Sequence, residues 1–460
     1  MASMKKCSFI MVVSALLLTG IAVVVWHYVM PPLHFVESEE YPDVFPDYVK
    51  VTIPESMSSD NGALFTMTMK DGRSCRITRH REGDTLWVKV SAWHQGDMEG
   101  VSYRPFPIYI HSDSIDPYVV YRLIEPGYES WSRMSISQRS LVSWNESTVV
   151  SNASNERGCI NCHSFSDGRP ERMLFHSRVN NAGTVFVLDG NRKRIDFTKK
   201  SSGRQVTYPS WHPSGRYVAF SSNTTRQCFM LKGRQPIEVY DTASDIMVYN
   251  VEKDSWVDCP YLNSTDDWET FPSWSPDGSE LYFCRADSVV QPSRQRKKVH
   301  YRLMRIAFDG QLGTFVGEPQ EVPLKGIDMT AHSVSFPRIS IDGFLMFTLT
   351  DYGTFPIWHD EADLWMLDLK AGDTFPCTIL NSDKAESYHC WSSNGRWVVF
   401  GSRRLDGRYT RLYFSHFDGK GQFTKPFLLP QKHPKDNILR MKSYNIPEFV
   451  KGEVSPVEKF

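Results

Sequence analysis

The sequence predicts a mainly β protein whose larger part is a β-propeller of five or six blades. Four segments after residue 200 share one pattern: an aromatic residue, then a Trp or Ile, then a glycine turn and an alternating strand with Phe near its end. Radially repeated sheets leave only short protected edges, and a recurring strand–turn–strand unit is their sequence signature. The four segments are 208–222, 271–285, 336–350 and 388–402.

The turns inside these segments indicate the type of propeller. Residues 275–278 read S-P-D-G between two strands, and residues 212–215 read H-P-S-G, a partial copy. The segments resemble the propeller repeats of TolB-like proteins, and the resemblance covers roughly residues 172–435. It implies the fold and not an activity. We expect Trp211 and Trp274 to pack between blades.

The remaining segments complete the predicted domain organisation. Four repeats and one unit formed from residues 173–197 give five blades, and a sixth can be assembled from the chain termini. Residues 31–145 contain short strand candidates with short turns, which predicts a small β-sandwich-like domain. Residues 146–171 are predicted to be a linker, followed by the propeller over 172–435 and a C-terminal extension over 436–460.

The N-terminus predicts a membrane anchor. Lys5 and Lys6 precede an apolar run over 9–26, and five acidic residues follow before Lys50. The run is about the length that spans a bilayer as a helix, and its charge flanks put the amino terminus inside. We expect an uncleaved transmembrane helix within residues 1–30, with the bulk of the chain in the periplasm of a Gram-negative bacterium. A cleaved signal peptide is the alternative.

Residues 159–163 read C-I-N-C-H, the pattern of covalent c-type haem attachment. Cys159 and Cys162 are expected to form thioethers with the two vinyl groups of one haem c, and His163 is expected to be the proximal iron ligand. Two alternatives stay open. One is a zinc site that combines both thiols with one or both of His163 and His176, and the other is a Cys159–Cys162 disulfide.

The second axial ligand has two candidates in the predicted strand M-L-F-H-S-R at 173–178. Side chains alternate along a strand, so Met173 and His176 point to opposite faces and cannot both bind one iron. Arg178 shares the face of His176 and is a possible partner for a haem propionate. This favours His176 as the distal ligand.

Three motifs together resemble a group of membrane-anchored TolB-like propeller proteins of Bacteroidetes. They are V-Y-R-L-I-E-P-G-Y-E at 120–129, C-x-N-C-H-S-F at 159–165 and M-L-F-H-x-R at 173–178. The resemblance implies an architecture and not a reaction.

These features predict a membrane-anchored periplasmic monohaem protein for electron transfer or redox sensing, whose propeller docks an envelope protein or redox partner. The alternative is an envelope scaffold in which the C-x-x-C-H motif is structural, with haem, zinc or a disulfide. An enzyme is not expected, because the chain has no G-x-S-x-G elbow and no hydrolase-length segment after residue 435. A peroxidase-like activity would require a haem without a distal ligand. The net charge of −1 gives no sign of nucleic-acid binding.

Overall fold

The computed structural model describes residues 33–58, 66–125, 133–155, 157–178, 182–200, 203–230 and 237–458. The predicted anchor at 1–30 lies outside these residues. Within the described ranges, no helix is both long and apolar enough to cross a membrane. The chain forms two compact units, one made of residues up to 50 and 67–109, the other of residues 51–66 and 110 onward.

The first unit contains one mixed sheet and one short ribbon. Thr85–Trp93 is its central strand and pairs with Ser74–Glu82 along its whole length. Glu99–Ser102 pairs antiparallel with the central strand and parallel with His34–Glu37. The other pairings are those of Phe106–His111 with the central strand and of Val44–Phe45 with Thr68–Met69. Where a small β-sandwich-like domain was predicted, the described residues of this unit form one mixed sheet and one two-stranded ribbon.

In the second unit, the described residues form six four-stranded antiparallel sheets, which are the blades of a propeller. The innermost strand of each blade contacts the innermost strands on both sides, so the six strands close into a ring. The prediction of a mainly β chain with a propeller is confirmed, and the number of blades is six. From the innermost strand outward, blades 1 to 3 consist of Ile160–Phe165, Arg172–Ser177, Gly183–Leu188 and Asn191–Ile195; of Thr207–Trp211, Tyr217–Ser221, Ile246–Asn250 and Ser255–Val257; and of Asp267–Trp274, Glu280–Asp287, Arg302–Asp309 and Thr314–Glu321.

The last three blades follow the same order, except that blade 6 combines distant parts of the chain. From the innermost strand outward, blades 4 to 6 consist of Ser333–Ile339, Phe344–Thr350, Asp363–Asp368 and Asp373–Pro376; of Glu386–Trp391, Trp397–Ser402, Arg411–His416 and Phe427–Leu428; and of Ser443–Val450, Tyr118–Ile124, Ser135–Ser140 and Glu146–Ser151. A ribbon of Thr224–Phe229 with Ile237–Ala243 is inserted in blade 2. The described α-helices are single turns, at Phe197–Lys200, Pro292–Gln295 and Asp436–Leu439.

Blade 6 corrects three predicted boundaries. Strands assigned to the N-terminal domain pair with Ser443–Val450, which was assigned to the C-terminal extension. The predicted linker 146–171 contains Glu146–Ser151, the outer strand of blade 6, and Ile160–Phe165, the inner strand of blade 1. The Asn- and Ser-rich composition of 147–154 resembles that of a linker, and local patterns do not reveal a pairing between chain segments more than 300 residues apart.

Two structural features recur in the blades: turn glycines with positive φ and Trp hydrogen bonds between neighbouring blades. The predicted turn glycines have φ between 68° and 88°, values that a residue with a Cβ rarely adopts. The indole Nε1 of Trp274 donates to the Ser210 carbonyl of blade 2 at 3.1 Å, and that of Trp211 donates to the Ser164 carbonyl of blade 1 at 3.4 Å. Each of these Trp side chains therefore joins its own blade to the preceding one.

Candidate functional site

The C-I-N-C-H residues lie at and within the inner strand of blade 1. Cys159 directly precedes Ile160–Phe165, and Cys162 and His163 form a bulge between the pairs Asn161–His176 and Ser164–Leu174. The motif is thus part of a blade and not of a flexible junction.

Cys162 occupies a position that recurs in every blade. Each inner strand has a bulge, and one residue of that bulge has φ between 45° and 53°. Five of the six residues are large, and the rings of Phe271 and Phe336 lie 4.0 Å apart, centroid to centroid. Cys162 is the smallest member of the set. The six residues are Cys162, Tyr208, Phe271, Phe336, Tyr388 and Ile446.

The residue after this position is His163 in blade 1 and His389 in blade 5, and their environments differ. His389 Nε2 bonds with the Met346 carbonyl oxygen at 3.0 Å. His163 is 1% exposed, and among the described residues neither ring nitrogen makes a hydrogen bond of full geometry, although the Val120 backbone approaches the imidazole as an acceptor. Burial first, and then the charge of Arg122, lower the pKa of His163 to about 3 against an opposing effect of the Val120 backbone, so the imidazole is neutral.

Both thiols of the motif are free and buried. Burial raises the pKa of the Cys159 thiol, while the charges of Arg122 and Arg178 act in the opposite direction. Arg122 donates to the Ile160 carbonyl at 3.4 Å, and in the described part of the chain no hydrogen-bond partner lies near its buried Nε. The sequence prediction missed Arg122, although it lies in the V-Y-R-L-I-E motif that carried the second resemblance.

Arg178, predicted as a propionate partner, already has hydrogen bonds to blade 2. It donates to Gln205 Oε1 at 3.0 Å and to the Val206 carbonyl at 2.5 Å. Burial lowers the pKa of its guanidinium, and the two motif cysteines oppose that shift. Arg178 therefore lies in the electrostatic environment of both thiols.

The two candidate distal ligands lie on opposite faces of blade 1, as strand alternation requires. Met173 is fully buried in the apolar cluster that contains Cys159 and Phe165. His176 packs its ring against Phe220 of blade 2, and its Nδ1 bonds with Oγ1 of Thr184 in its own blade at 2.9 Å. Antiparallel partners share a face, so Phe165 lies on the face of Met173. His163 meets the Phe165 ring edge to face, with centroids 6.2 Å apart, and lies against the Val120 backbone. Phe165 and Val120 both belong to the apolar cluster of Met173.

The alternative metal arrangement is not assembled in this fold. Among the described residues, three metal-binding atoms lie within 4.8 Å of one another only at His111, Asp113 and His416. The two motif thiols and an imidazole are therefore not gathered as a tetrahedral zinc site requires.

A cavity of about 260 Å³ lies at one end of the ring, and all six inner strands contribute to its lining. Arg338, Tyr388 and Glu448 line it together with Ser164 and Phe165, the two residues after the motif. Glu448 accepts the Phe165 amide hydrogen at 2.9 Å. Burial raises the pKa of Glu448 to about 7, although Arg338, Phe165 and Ser164 favour the charged form.

Comparisons with known proteins report only distant structural likeness. No protein-family model matches the chain, and no curated protein matches it. TolB from Acinetobacter baumannii is 13% identical with a TM-score of 0.46, over 82% of this chain and 83% of that one. An oligogalacturonate lyase from Vibrio parahaemolyticus is 8% identical with a TM-score of 0.37, over 78% and 85%. Prolyl oligopeptidase B from Galerina marginata is 8% identical with a TM-score of 0.34, over 79% and 52%.

Proposed function

We propose that this chain carries one covalently attached haem c at Cys159, Cys162 and His163, and that it transfers or senses electrons at the outer face of the cytoplasmic membrane. The observation that carries the proposal is the contrast between His163 and His389. Both are buried at the same position of an inner strand, but His389 Nε2 bonds with the Met346 carbonyl oxygen, whereas the His163 ring nitrogens make no hydrogen bond of full geometry among the described residues and have only the approach of the Val120 backbone. A buried imidazole with poorly paired nitrogens is costly, and a metal is the partner that a C-x-x-C-H motif predicts.

The donor types at the motif, two thiols and a neutral imidazole, are those that covalent haem attachment uses. Each thiol would add across a vinyl group, so that an S–C bond forms and the thiol proton goes to the other vinyl carbon. The neutral imidazole of His163 would bind iron, and Arg122 and Arg178 would balance the propionate charges. A bound haem c supplies one-electron chemistry, and the propeller would supply the surface on which an envelope protein or redox partner docks.

A second candidate is an envelope scaffold in which the motif is structural. It is favoured by the repeat pattern itself, because C-H-S-F at 162–165 aligns with Y-P-S-W at 208–211 in blade 2. Cys159 and Cys162 are 5% and 7% exposed, as core residues are. In this second proposal the propeller binds an envelope protein or glycan, and the thiols pack a blade.

Expression in a host with c-type haem-attachment machinery, followed by a pyridine-haemochrome spectrum of the denatured protein, separates the two proposals. The haem proposal expects a c-type band that survives denaturation and disappears in the Cys159→Ser/Cys162→Ser variant. Cys390→Ser, in the inner strand of blade 5, is the control and should keep the band. A folded parent protein with no covalent haem would overturn the haem proposal and leave the scaffold.

His163 is tested with His389 as its matched control. His163→Ala should alter the oxidised-state absorption spectrum of the attached haem, because the proximal ligand is lost. His389→Ala removes an equally buried imidazole from the same position of another blade and should leave that spectrum unchanged. Equal spectra for the parent and both variants would contradict the assignment of His163.

A further inference from the structure

A second group of metal-binding side chains lies away from the C-x-x-C-H motif. His111 is the last residue of Phe106–His111, and Asp113 follows it in a turn. His416 is the last residue of Arg411–His416, the third strand of blade 5. The sequence analysis assigned no role to these three residues, which come together only through folding.

The three side chains converge on one carboxylate oxygen. Asp113 Oδ2 lies 2.8 Å from His416 Nε2 and 3.4 Å from His111 Nδ1. The two imidazole rings are stacked, with centroids 3.8 Å apart and an interplanar angle of 30°. Metal–ligand bonds of about 2.0–2.2 Å put the donors of a tetrahedral zinc site roughly 3.3–3.6 Å apart, so small adjustments would admit an ion.

A backbone hydrogen bond makes His111 Nδ1 an acceptor. The backbone amide of Asp113 donates to His111 Nδ1 at 3.1 Å, so this nitrogen carries no hydrogen that it could donate to Asp113 Oδ2. Two electron-rich atoms therefore face each other at 3.4 Å. A cation between them would turn this unfavourable approach into two bonds.

Bonds outside the three residues hold the turn in place. Trp397 Nε1 donates to the Asp113 carbonyl at 3.1 Å. Asp116 accepts from both the amide and the hydroxyl of Ser393, each at 2.7 Å. Such outer contacts orient the ligands of metal sites before the ion binds.

We propose that His111, Asp113 and His416 bind one divalent transition-metal ion of the zinc type. Two imidazoles and one carboxylate form a three-ligand set that leaves a position for water. His416 is buried, whereas the side chains of His111 and Asp113 are 40% and 33% exposed, so an ion can enter from solvent. By binding Asp113 and His416 together, the ion would stabilise the contact between the turn at 112–116 and blade 5.

The test is titration of the full chain, purified without metal, with Zn²⁺ by calorimetry and with Co²⁺ by absorption. Cys159→Ser/Cys162→Ser is introduced throughout, so that the thiols contribute no binding. We expect one site, a Co²⁺ spectrum of low-symmetry coordination and a higher Tm with Zn²⁺. His111→Ala and Asp113→Asn should each weaken binding at least tenfold and abolish the gain in Tm.

His332→Ala is the matched control, because His332 and Asp351 form a similar pair 3.9 Å apart that belongs to no group of three converging metal-binding side chains among the described residues. This variant should bind Zn²⁺ as the parent does. His111 is half-exposed, and the folding of its Ala variant is checked by its Tm without metal. The proposal is wrong if the parent binds no Zn²⁺, or if His111→Ala and His332→Ala bind it equally well. Neither outcome bears on the haem proposal, because both motif thiols are replaced throughout this test.

Discussion

Cys162 occupies in blade 1 the position that Phe336 occupies in blade 4, and both have a positive φ, 49° and 52°, at the bulge of an inner strand. Phe336 packs its ring 4.0 Å from that of Phe271 and 5.1 Å from that of Tyr388, centroid to centroid. The smaller Cys162 side chain has no ring with which to make such contacts. This supports a role for Cys162 other than filling the centre of the ring.

The first prediction compares the two residues in protein produced without haem attachment. Phe336→Ala should lower the free energy of unfolding by about 3–5 kcal/mol, as truncation of a buried Phe usually does. Cys162→Ala should lower it by only about 1 kcal/mol, because little apolar volume is removed. Urea unfolding measures both. A loss for Cys162→Ala as large as that for Phe336→Ala would favour a packing role.

The second prediction concerns the distal ligand and rests on the haem proposal. Met173 lies in the apolar cluster that borders His163, whereas His176 packs against a ring of blade 2. Met173→Ala should therefore change the oxidised-state absorption spectrum of the attached haem, and His176→Ala should not. The sequence favoured His176, so the opposite result would restore the original assignment. If neither spectrum changes, the iron has no distal ligand among these two residues.

The third prediction concerns the contacts between blades. Trp274→Phe removes the bond to the Ser210 carbonyl and should cost about 1 kcal/mol in the free energy of unfolding, because a part-buried acceptor loses its partner. Trp256→Phe is the control, since its indole donates to the exposed Lys200 carbonyl at 2.9 Å. The two variants lose similar ring area, so a difference between them in urea unfolding isolates the more buried bond. Equal losses would contradict the role given to Trp274.

The repeated turns could be predicted from sequence because their chemistry is local. S-P-D-G at 275–278 requires a positive φ at Gly278, where it is 74°. A Cβ at Gly278 would also lie 2.3 Å from His212 Nε2. Such constraints select particular residue types at a few consecutive positions, which is why the repeats of four of the six blades could be recognised in the sequence.

The closure of the ring could not be predicted in the same way. Tyr118–Ile124 pairs with Ser443–Val450, and nothing near either strand indicates its partner. The inner strand of blade 1 was missed for another reason. C-H-S-F at 162–165 has the spacing of Y-P-S-W at 208–211, but its Cys and His were interpreted as haem, zinc or disulfide chemistry and not as part of a repeat. The motif points to His163 and the two cysteines from sequence alone, whereas Arg122 comes from a different blade and is near them only in the folded chain.

The fourth prediction is a pH dependence caused by Glu448. Burial raises its pKa from 4.5 to about 7, so the folded state binds the proton more tightly than the unfolded chain does. The free energy of unfolding should therefore fall as the pH rises from about 4.5 to 7, by at most roughly 3 kcal/mol. Glu448→Gln should flatten this part of the profile, measured by urea unfolding between pH 4.5 and 8. Glu318→Gln, on an exposed strand of blade 3, should leave it unchanged, and a profile insensitive to Glu448→Gln would contradict the assignment.

The last prediction tests the closure of the propeller by the C-terminal strand. Tyr444 is 2% exposed, and its ring meets that of Tyr121 edge to face with centroids 4.7 Å apart. This contact joins Ser443–Val450 to the second strand of blade 6. Tyr444→Ala should therefore lower the free energy of unfolding by about 3–5 kcal/mol. Tyr261→Ala is the control, since Tyr261 is 43% exposed and its loss should cost no more than about 0.5 kcal/mol. A blade that lacks its inner strand leaves the neighbouring inner strands without a partner on one side, so weakening this strand should destabilise the whole ring. A small loss for Tyr444→Ala would contradict this role of the contact.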